Sequence, residues 1–324
     1  MDRLLFALLV IVAAPAATAL YIVLAERALR VLPERRQRRI RPWLWIGPAL
    51  LLLTVFLIYP SVHTLVLSFF NADSTRPVGL DNYAYIATDQ SMLIALRNNL
   101  LWVVLFSGLT VALGLLTAIL TDRVPYEGVA KGVIFLPMAI SFVAAGVIWR
   151  FMYDYRPPGV PQTGTLNAVL TALIPGFEPQ AWLINPSVNN LGLIVAGVWT
   201  WTGFCLVILS AALKGIPSDV IEAARVDGAT ELQIFRRIIL PMMSPTIAVV
   251  VTTMIIFALK AFDIVYIMTN GNYDTEVIAN RMYKELFNFR NFGRASAIAV
   301  LLLAAIVPVM ILNISRFRAQ EERR

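Results

Sequence analysis

Residues 214–245 read KGIPSDVIEAARVDGATELQIFRRIILPMMSP, a charged, helix-favouring stretch that lies between two apolar segments. Pro217 and Ser218 predict the start of a short helix, because proline fits the first turn and serine caps free backbone N–H groups. Gly228 predicts the end of that helix, since glycine adopts a left-handed backbone conformation at low cost. The first half of the stretch is therefore expected to form one short helix closed by a tight turn.

A second short helix is predicted directly after the turn. Thr230 and Gln233 have the spacing of a capping box, in which each side chain hydrogen-bonds the backbone N–H of the other residue. Apolar residues follow at helical spacing, and Pro241 is expected to end or kink the helix because proline lacks the N–H that a helix interior needs. The residues alone also permit an amphipathic loop that lies on a membrane surface.

The composition predicts a membrane protein. Of the 324 residues, 59% are hydrophobic and 15% are charged, whereas a soluble domain carries roughly 25% charge. Several apolar runs are as long as the ~20 residues that a transmembrane helix needs, or nearly so. They lie at Leu4–Ala25, Pro42–Ala72, Asn98–Thr121, Gly132–Trp149, Pro179–Leu213, Ile238–Leu259 and Ala295–Ser315. We therefore expect an all-α, polytopic bundle of about seven transmembrane helices, with a kink at Pro137.

The distribution of charge predicts the orientation of the chain. Residues 26–41 contain seven arginines, and alternating assignment of the loops places 17 lysines and arginines on one side and seven on the other. Because the richer side faces the cytoplasm, residues 214–245 and the C-terminus are expected there. Leu4–Ala25 is expected to remain as an uncleaved span. The alternative is a signal peptide cleaved near Ala17–Ala19, which would carry the arginine-rich segment across the membrane.

The sequence lacks the residues of common catalytic and metal sites. None of the four lysines lies in the Gly-Lys-Ser/Thr order of a phosphate-binding loop. A single histidine and a single cysteine, Cys205, exclude histidine-rich zinc sites and disulfide bonds. The chain is therefore predicted not to be an enzyme and to need no cofactor, so that chemical energy must come from a partner.

Several residues within 214–245 resemble a family signature. They are Glu222, Ala223, Ala224, Asp227, Gly228, Ala229, Phe235, Leu240 and Pro241. In this order and spacing they are similar to the EAA loop of ABC-importer permeases, in its sugar-permease form of the maltose and α-glucoside type. Gly79 to Tyr83, and Phe262-Asp263 before Thr269-Asn270-Gly271, resemble further elements of sugar permeases. The second glycine and the proline of the latter element are missing here.

The resemblance implies a type I ABC-importer permease fold and a location in the bacterial inner membrane. The EAA loop would be a cytoplasmic coupling helix that docks on a dimer of ATP-binding subunits, where hydrolysis occurs. Further implied partners are a second permease subunit and a periplasmic solute-binding protein. The implied function is the import of a sugar, an oligosaccharide such as an α-glucoside. An ion-driven secondary transporter and a permease for a non-sugar solute remain alternatives.

This reading divides the chain into five parts. They are an extra N-terminal transmembrane helix at residues 1–25, a basic cytoplasmic linker at 26–42, a first core helix with its outer loop at 43–97, the conserved permease core at 98–316 with the EAA loop at 214–245, and a cytoplasmic tail at 317–324.

A substrate pocket is expected in the two spans that flank the EAA loop, as the resemblance implies for maltose-type permeases. Its candidate residues are Trp199, Thr200, Trp201, Phe204, Phe257, Lys260 and Asp263. Aromatic faces stack on the C–H surfaces of a sugar ring, and polar groups bind its hydroxyls. Alternatively, the tryptophans pack or anchor the spans. Lys260 and Asp263, three residues apart on one helix face, would then neutralise each other.

Overall fold

The computed structural model describes residues Asp2–Glu321, without the side chains of 2–5, 7–11, 14, 314 and 316–321. In this part of the chain the secondary structure is helical, apart from one isolated bridge between Phe70 and Pro77. The helices are α1 Asp2–Arg30, α2 Glu34–Leu53, α3 Tyr59–Leu67, α4 Asp81–Thr88, α5 Gln90–Leu101, α6 Ser107–Thr121, α7 Glu127–Phe135, α8 Phe142–Met152, α9 Thr165–Leu173, α10 Asn189–Lys214, α11 Ser218–Val226, α12 Glu231–Ile234, α13 Leu240–Leu259, α14 Asp263–Met268, α15 Ile278–Tyr283 and α16 Phe292–Glu321.

The chain divides into two compact units. The first, Met1–His63, contains α1, a short turn and most of the helix that follows. Within it, the guanidinium of Arg41 donates to the carboxylate of Glu26 at 3.0 Å, which ties the end of α1 to the start of α2. The second unit, Thr64–Arg324, holds all the remaining helices and both candidate sites.

Five helical stretches of the described residues are long and apolar enough to cross a membrane, or six if one bent pair counts as a span. They are Glu34–Leu67, Gln90–Thr121, Asn189–Lys214, Glu231–Leu259, Phe292–Asn313, and the pair Glu127–Ala139 with Phe142–Met152. Each corresponds to one of the predicted apolar runs. The remaining run, Leu4–Ala25, lies in helix α1, where many side chains fall outside the described residues. Part of the predicted tail, 322–324, also falls outside them.

The predicted kink at Pro137 is confirmed, and it is a sharp bend. Pro137 lies in a 3₁₀ turn, Leu136–Ala139, that ends the first half of the bent pair. The second half begins after Ser141, whose hydroxyl caps α8 by accepting from the N–H of Ala144 at 3.2 Å. The two halves meet at 99°. Proline donates no backbone hydrogen bond, so its presence favours the interruption of the helix that follows.

Helix α10 is the centre of the second unit. In its apolar window 61% of residues are buried, compared with 33% in Gln90–Thr121 and 28% in Glu231–Leu259. It packs against α6, α7, α13 and the bent pair. Gly203 of α10 lies against the backbone of α7, where an added Cβ would meet Ile134 O and Phe135 Cα at 2.7 Å. This close approach holds α7 and α10 together beside the aromatic residues of α10.

Candidate functional site

Residues 214–245, the EAA segment, contain two short helices joined by a left-handed turn, as the sequence predicts. Helix α11 ends at Val226, and Gly228 adopts φ +80°. The N–H of Gly228 donates to Arg225 O at 3.0 Å, and the N–H of Ala229 donates to Ala224 O at 3.0 Å. These bonds satisfy carbonyls that the end of the helix would otherwise leave free.

The capping box of the second helix is also confirmed. The N–H of Thr230 donates to Gln233 Oε1 at 2.8 Å, and the N–H of Gln233 donates to Thr230 Oγ1 at 3.4 Å. Pro241 was expected to end or kink this helix; an end is wrong, because Glu231–Leu259 is one continuous helical span. A π-helical turn, Phe235–Ile239, lies immediately before Pro241. In a regular α-helix the ring of Pro241 would clash with the carbonyl of residue 237, four positions earlier. Residue 237 lies within the π-helical turn, whose wider i to i+5 pattern replaces the regular one at this point.

The two short helices expose apolar side chains. Val226 is 87% exposed and Leu232 is 63% exposed. Glu222, Ala223 and Asp227 are exposed as well, whereas Phe235 and Leu240 are half-buried. A cleft of about 790 Å³ lies between this segment, the base of α10 and the end of α6. Residues 218–241 therefore present a mixed apolar and charged surface beside an open cleft.

Ion pairs connect this segment to the turn between α6 and α7. Glu127 pairs with Lys214 at 2.6 Å and also with Lys131. Glu231 accepts from Arg225 Nε at 2.9 Å and lies 3.8 Å from Arg123. The hydrogen bond and charge of Glu231 raise the pKa of Arg225. Sequence reasoning missed Arg123 and Glu127, because the only signal for them was their position in the neighbouring short turn.

A second site is a cavity of about 200 Å³ between α10 and the end of α13. Its lining residues are Trp102, Phe106, Phe142, Gly197, Trp201, Phe257, Lys260, Ala261, Phe262, Asp263 and Ile264. Four of the seven predicted pocket residues are among them: Trp201, Phe257, Lys260 and Asp263. The rings of Trp201 and Phe257 have centroids 4.0 Å apart, and Phe142 stacks on Trp201 at 5.7 Å. The cavity wall is thus a cluster of aromatic rings.

The other three predicted pocket residues lie elsewhere. Trp199 packs edge-on against Trp149 at 5.8 Å, Thr200 is buried and donates to Ala196 O at 3.0 Å, and Phe204 packs edge-on against Trp201 at 5.8 Å. Consecutive helical residues point about 100° apart, since a turn takes 3.6 residues, so a run of neighbours cannot share one cavity. Sequence reasoning also overlooked Trp102 and Phe106, which line the cavity. Their spacing of four residues, which places two side chains on one helix face, was the signal for them.

The expected helical pairing of Lys260 with Asp263 is wrong. Helix α13 ends at Leu259 and α14 begins at Asp263, so the two residues do not share a helix face. No ion pair joins either side chain to another residue in the described part of the chain. Both are exposed and both line the cavity. They supply an ammonium and a carboxylate beside the aromatic wall.

The loop after α14 departs from the family pattern, but other helices hold its backbone. Residues 270, 271, 273 and 274 all have positive φ. Asn98 Nδ2 donates to Asp274 O at 2.7 Å and to Glu276 O at 2.8 Å, and Asn189 Nδ2 donates to Tyr273 O at 2.6 Å. Buried amide side chains therefore define the shape of a loop that lacks the second glycine and the proline of the family.

Comparison with known proteins gives consistent matches. The model of a family described as "Binding-protein-dependent transport system inner membrane component" matches residues 110–321. An osmoprotective compounds uptake permease protein of Synechocystis sp. is 59% identical over 87% of this chain and 100% of its own length. An alpha-glucoside transport system permease protein of Rhizobium meliloti is 48% identical over 90% of this chain and 84% of its own length.

A similar fold occurs in a solved structure. A chain of a bacterial ABC transporter involved in the import of the acidic polysaccharide alginate has a TM-score of 0.70 and 26% sequence identity. The match covers 88% of this chain and 99% of that chain.

Proposed function

This chain belongs to the family of binding-protein-dependent transport inner membrane components, and from that premise we propose that it admits an α-glucoside to the cell. It is a permease subunit of an ABC importer for sugars and carries no ATPase of its own. The observation that carries the substrate proposal is the aromatic cavity with Lys260 and Asp263, together with 48% identity to an alpha-glucoside permease protein. Family membership excludes the ion-driven alternative.

The cavity has the chemistry of a site for part of a sugar. Trp201 and Phe257 offer apolar ring faces, while Lys260 donates hydrogen bonds and Asp263 accepts them. Because the two charged groups are not paired with each other, their hydrogen-bonding capacity is available to the hydroxyls of a ligand. The volume of about 200 Å³ is below the ~300–1,000 Å³ of a typical ligand site. This chain therefore holds about one ring, and a second permease subunit would complete the site.

A compact osmoprotective solute is the second candidate substrate. It is favoured by the relative of Synechocystis sp., which is 59% identical and is an osmoprotective compounds uptake permease protein. The small volume of the cavity agrees equally with such a solute. Competition between an α-glucoside disaccharide and a small polyol glycoside for uptake in the same cells distinguishes the two substrates.

We expect Trp201→Leu to weaken the apparent affinity for the true substrate by about tenfold, because the loss of a ring contact worth about 1.5 kcal/mol changes a binding equilibrium by about that factor. Trp199→Leu is the matched control, since Trp199 lies on the same helix outside the cavity. The measurement is the dependence of substrate-stimulated ATP turnover on ligand concentration in the reconstituted complex. An unchanged dependence for Trp201→Leu and Phe257→Ala would remove the pocket assignment.

The EAA segment is proposed to be the contact for the ATP-binding subunits. Its support is the exposure of Val226 and Leu232 in a segment that also carries free charges, beside a cleft of about 790 Å³. Apolar side chains that line a cleft together with charged residues, as Ile221, Leu232 and Phe235 do here, are typical of protein interaction sites. Glu222, Ala223 and Ala224 of α11 would enter the partner first, with Asp227 to Ala229 forming the bend behind them. Phe235, Leu240 and Pro241 would transmit the movement into α13.

The mechanism we infer is a lever. Closure of the ATP-bound dimer would move α11 and α12 together, because Arg225 and Glu231 join them across the turn at 2.9 Å. Lys214 and Glu127 would pass that movement to α7, which lies against Gly203 of α10. Phe142, just past the bend, stacks on Trp201 in the cavity wall. Displacement of the segment thereby reaches the substrate cavity, into which a periplasmic binding protein would deliver its ligand.

Orientation is tested by cysteine labelling. Cys205, the single native cysteine, is fully buried, so background labelling is low. In cells that lack the ATP-binding subunits, which would otherwise cover this surface, we expect a membrane-impermeant maleimide to label Val226→Cys only in inside-out vesicles. Val160→Cys, in the loop before α9, is the matched control and is expected to label only in intact spheroplasts. Labelling of Val226→Cys from outside the cell would overturn the cytoplasmic assignment of the EAA segment.

The division of the chain proposed from the sequence follows the same orientation. Residues 1–25 would form an additional span, 26–42 the basic cytoplasmic linker, and 43–97 the first core helix with an outer loop. Residues 98–316 would form the permease core, which the family model overlaps over 110–316. The tail after 316 would return to the cytoplasm.

A further inference from the structure

An unusually basic segment spans the end of α1 and the start of α2. It contains Arg27, Arg30, Arg35, Arg36, Arg38, Arg39 and Arg41, which we call the arginine collar. Between residues 26 and 41 only two acids, Glu26 and Glu34, accompany these seven arginines. Neither the EAA segment nor the cavity uses any of them.

The charge of the collar is almost entirely uncompensated. Arg41 pairs with Glu26 at 3.0 Å, and it is the only collar arginine in an ion pair among the described residues. The other six side chains are exposed. Like charges three or four positions apart on a helix repel each other, so counter-charge supplied from outside the segment would stabilise this set.

The geometry of α2 arranges the collar as a surface for anions. Glu34, Arg38 and Arg41 follow one another at helical spacing and, with Gln37 and Pro42, line a groove of about 500 Å³. Arg35 and Arg39 are four residues apart and therefore share a different face of the helix. Cations thus surround the first two turns of α2, and one face carries a groove between two arginines.

The sequence beyond the collar places it at the level of lipid headgroups. Trp43 and Trp45, immediately after the last arginine, are 67% and 45% exposed. Tryptophan is enriched at the interface between membrane and water. The apolar window of the span Glu34–Leu67 has none of its residues buried. An uncovered apolar helix, an aromatic band and an arginine cluster follow one another along α2 in the order of a bilayer, its interface and its charged surface.

We propose that the arginine collar binds the headgroups of anionic phospholipids. The guanidinium group is a planar fork that matches two oxygens of a phosphate, and it keeps its charge at any physiological pH. Clusters of four to eight Lys or Arg beside a transmembrane helix attract anionic lipids at short range. The groove between Arg38 and Arg41 would hold one phosphate, and the remaining arginines would contact neighbouring headgroups.

The test measures lipid retention by the assembled transporter. The complex is reconstituted in nanodiscs of about three parts phosphatidylcholine to one part phosphatidylglycerol, extracted into detergent, and its retained lipids are counted by mass spectrometry. We expect phosphatidylglycerol to be enriched severalfold over its share in the nanodisc. The enrichment should fall at about 1 M salt, where the screening length shrinks to about 3 Å.

Arg38→Gln combined with Arg39→Gln is the test variant, and Arg76→Gln combined with Arg290→Gln is the charge-matched control. The control arginines are exposed and lie outside the collar. We expect the test variant to lose at least half of the enrichment and the control to keep it. Arg41 is left unchanged because it joins α1 to α2. Equal melting temperatures of the two variants show that both are folded.

Three results would overturn the proposal. The first is wild-type retention equal to the bulk lipid ratio. The second is full enrichment in the collar variant. The third is loss of a protein subunit from the collar variant with its lipid enrichment unchanged, which would identify an acidic protein surface as the occupant. Inorganic phosphate added at about 10 mM separates the sources of the anion, since both sources carry oxygens that a guanidinium binds; displacement of phosphatidylglycerol by it would assign the site to free phosphate and would also overturn the proposal. The experiment requires no transported solute, so its failure leaves the substrate proposal intact.

Discussion

Gly228→Pro is expected to lower uptake by about 100-fold. Gly228 has φ +80°, and proline fixes φ near −65°. Proline also lacks the N–H that Gly228 donates to Arg225 O. A conformational conflict of this kind costs on the order of 3 kcal/mol, which is about two factors of ten in an equilibrium. The turn would open, and α11 would no longer keep its angle to α12.

A substitution at Gly228 changes the backbone conformation without causing a steric clash. An added Cβ at Gly228 meets nothing within 4 Å, so any effect of a substitution comes from the backbone and not from a clash. Gly228→Asn is the matched control, because asparagine accepts the left-handed conformation more readily than other non-glycine residues. We expect the asparagine variant to retain most uptake. The measurement is uptake of labelled substrate in cells with equal amounts of membrane-inserted protein.

Full uptake by Gly228→Pro would show that the turn does not transmit work from the ATP-binding subunits. If the chain were a membrane scaffold that transports nothing, neither Gly228→Pro nor Gly228→Asn would change uptake. A defect confined to insertion would be seen as reduced protein in the membrane. The comparison of proline with asparagine at equal abundance therefore isolates the geometry of the turn.

Gly203→Ala is expected to destabilise the chain and to disturb the cavity. The new Cβ would lie 2.7 Å from Ile134 O and from Phe135 Cα, both of them backbone atoms that cannot rotate away. Overpacking costs about 1–3 kcal/mol, and contacts of 2.7 Å with two backbone atoms place this site in the upper part of that range, above the gain of about 1 kcal/mol from replacing a helical glycine by alanine. Helix α7 must move away from α10, and Phe142 beyond the bend would lose its stacking distance to Trp201.

Gly108→Ala provides the matched control for this prediction. Gly108 lies in helix α6, and an added Cβ there meets nothing within 4 Å. We expect the purified Gly203→Ala variant to melt several degrees below wild type, whereas Gly108→Ala melts at the same temperature or above it. Substrate affinity should fall in the first variant alone. A Gly203→Ala protein that melts like the Gly108→Ala protein would show that α7 and α10 do not approach closely at this point.

Local patterns in the sequence were sufficient wherever neighbouring residues decide the conformation. The bend at Gly228 and the capping box at Thr230 and Gln233 are formed within a few residues, and both appear as predicted. The spans follow from the length and polarity of apolar runs, since a bilayer demands internal hydrogen bonding of every buried backbone group. The resemblance of residues 222–241 to the EAA loop was likewise local, and the family match confirms the membership it implied.

The composition of the cavity could not be obtained in that way. From the sequence, four neighbouring residues of α10 were equally good candidates for the cavity: Trp199, Thr200, Trp201 and Phe204. Only the rotation of α10 against its neighbouring helices places Trp201, and not the other three, in the cavity wall. Phe142 reaches the cavity because a 99° bend brings α8 beside α10. Lys260 and Asp263 were expected to share a helix, but α13 ends at Leu259, immediately before Lys260.

The sequence by itself determined that this chain spans a membrane, where its EAA segment bends and which family it belongs to. Each of these depends on hydrophobicity or on contacts between residues a few positions apart. Tertiary structure alone decided which aromatic rings share a cavity and which cations, Arg123 and Lys214, pair with the acids around the EAA segment. Those contacts join residues far apart in sequence, and their geometry exists only after helices have packed.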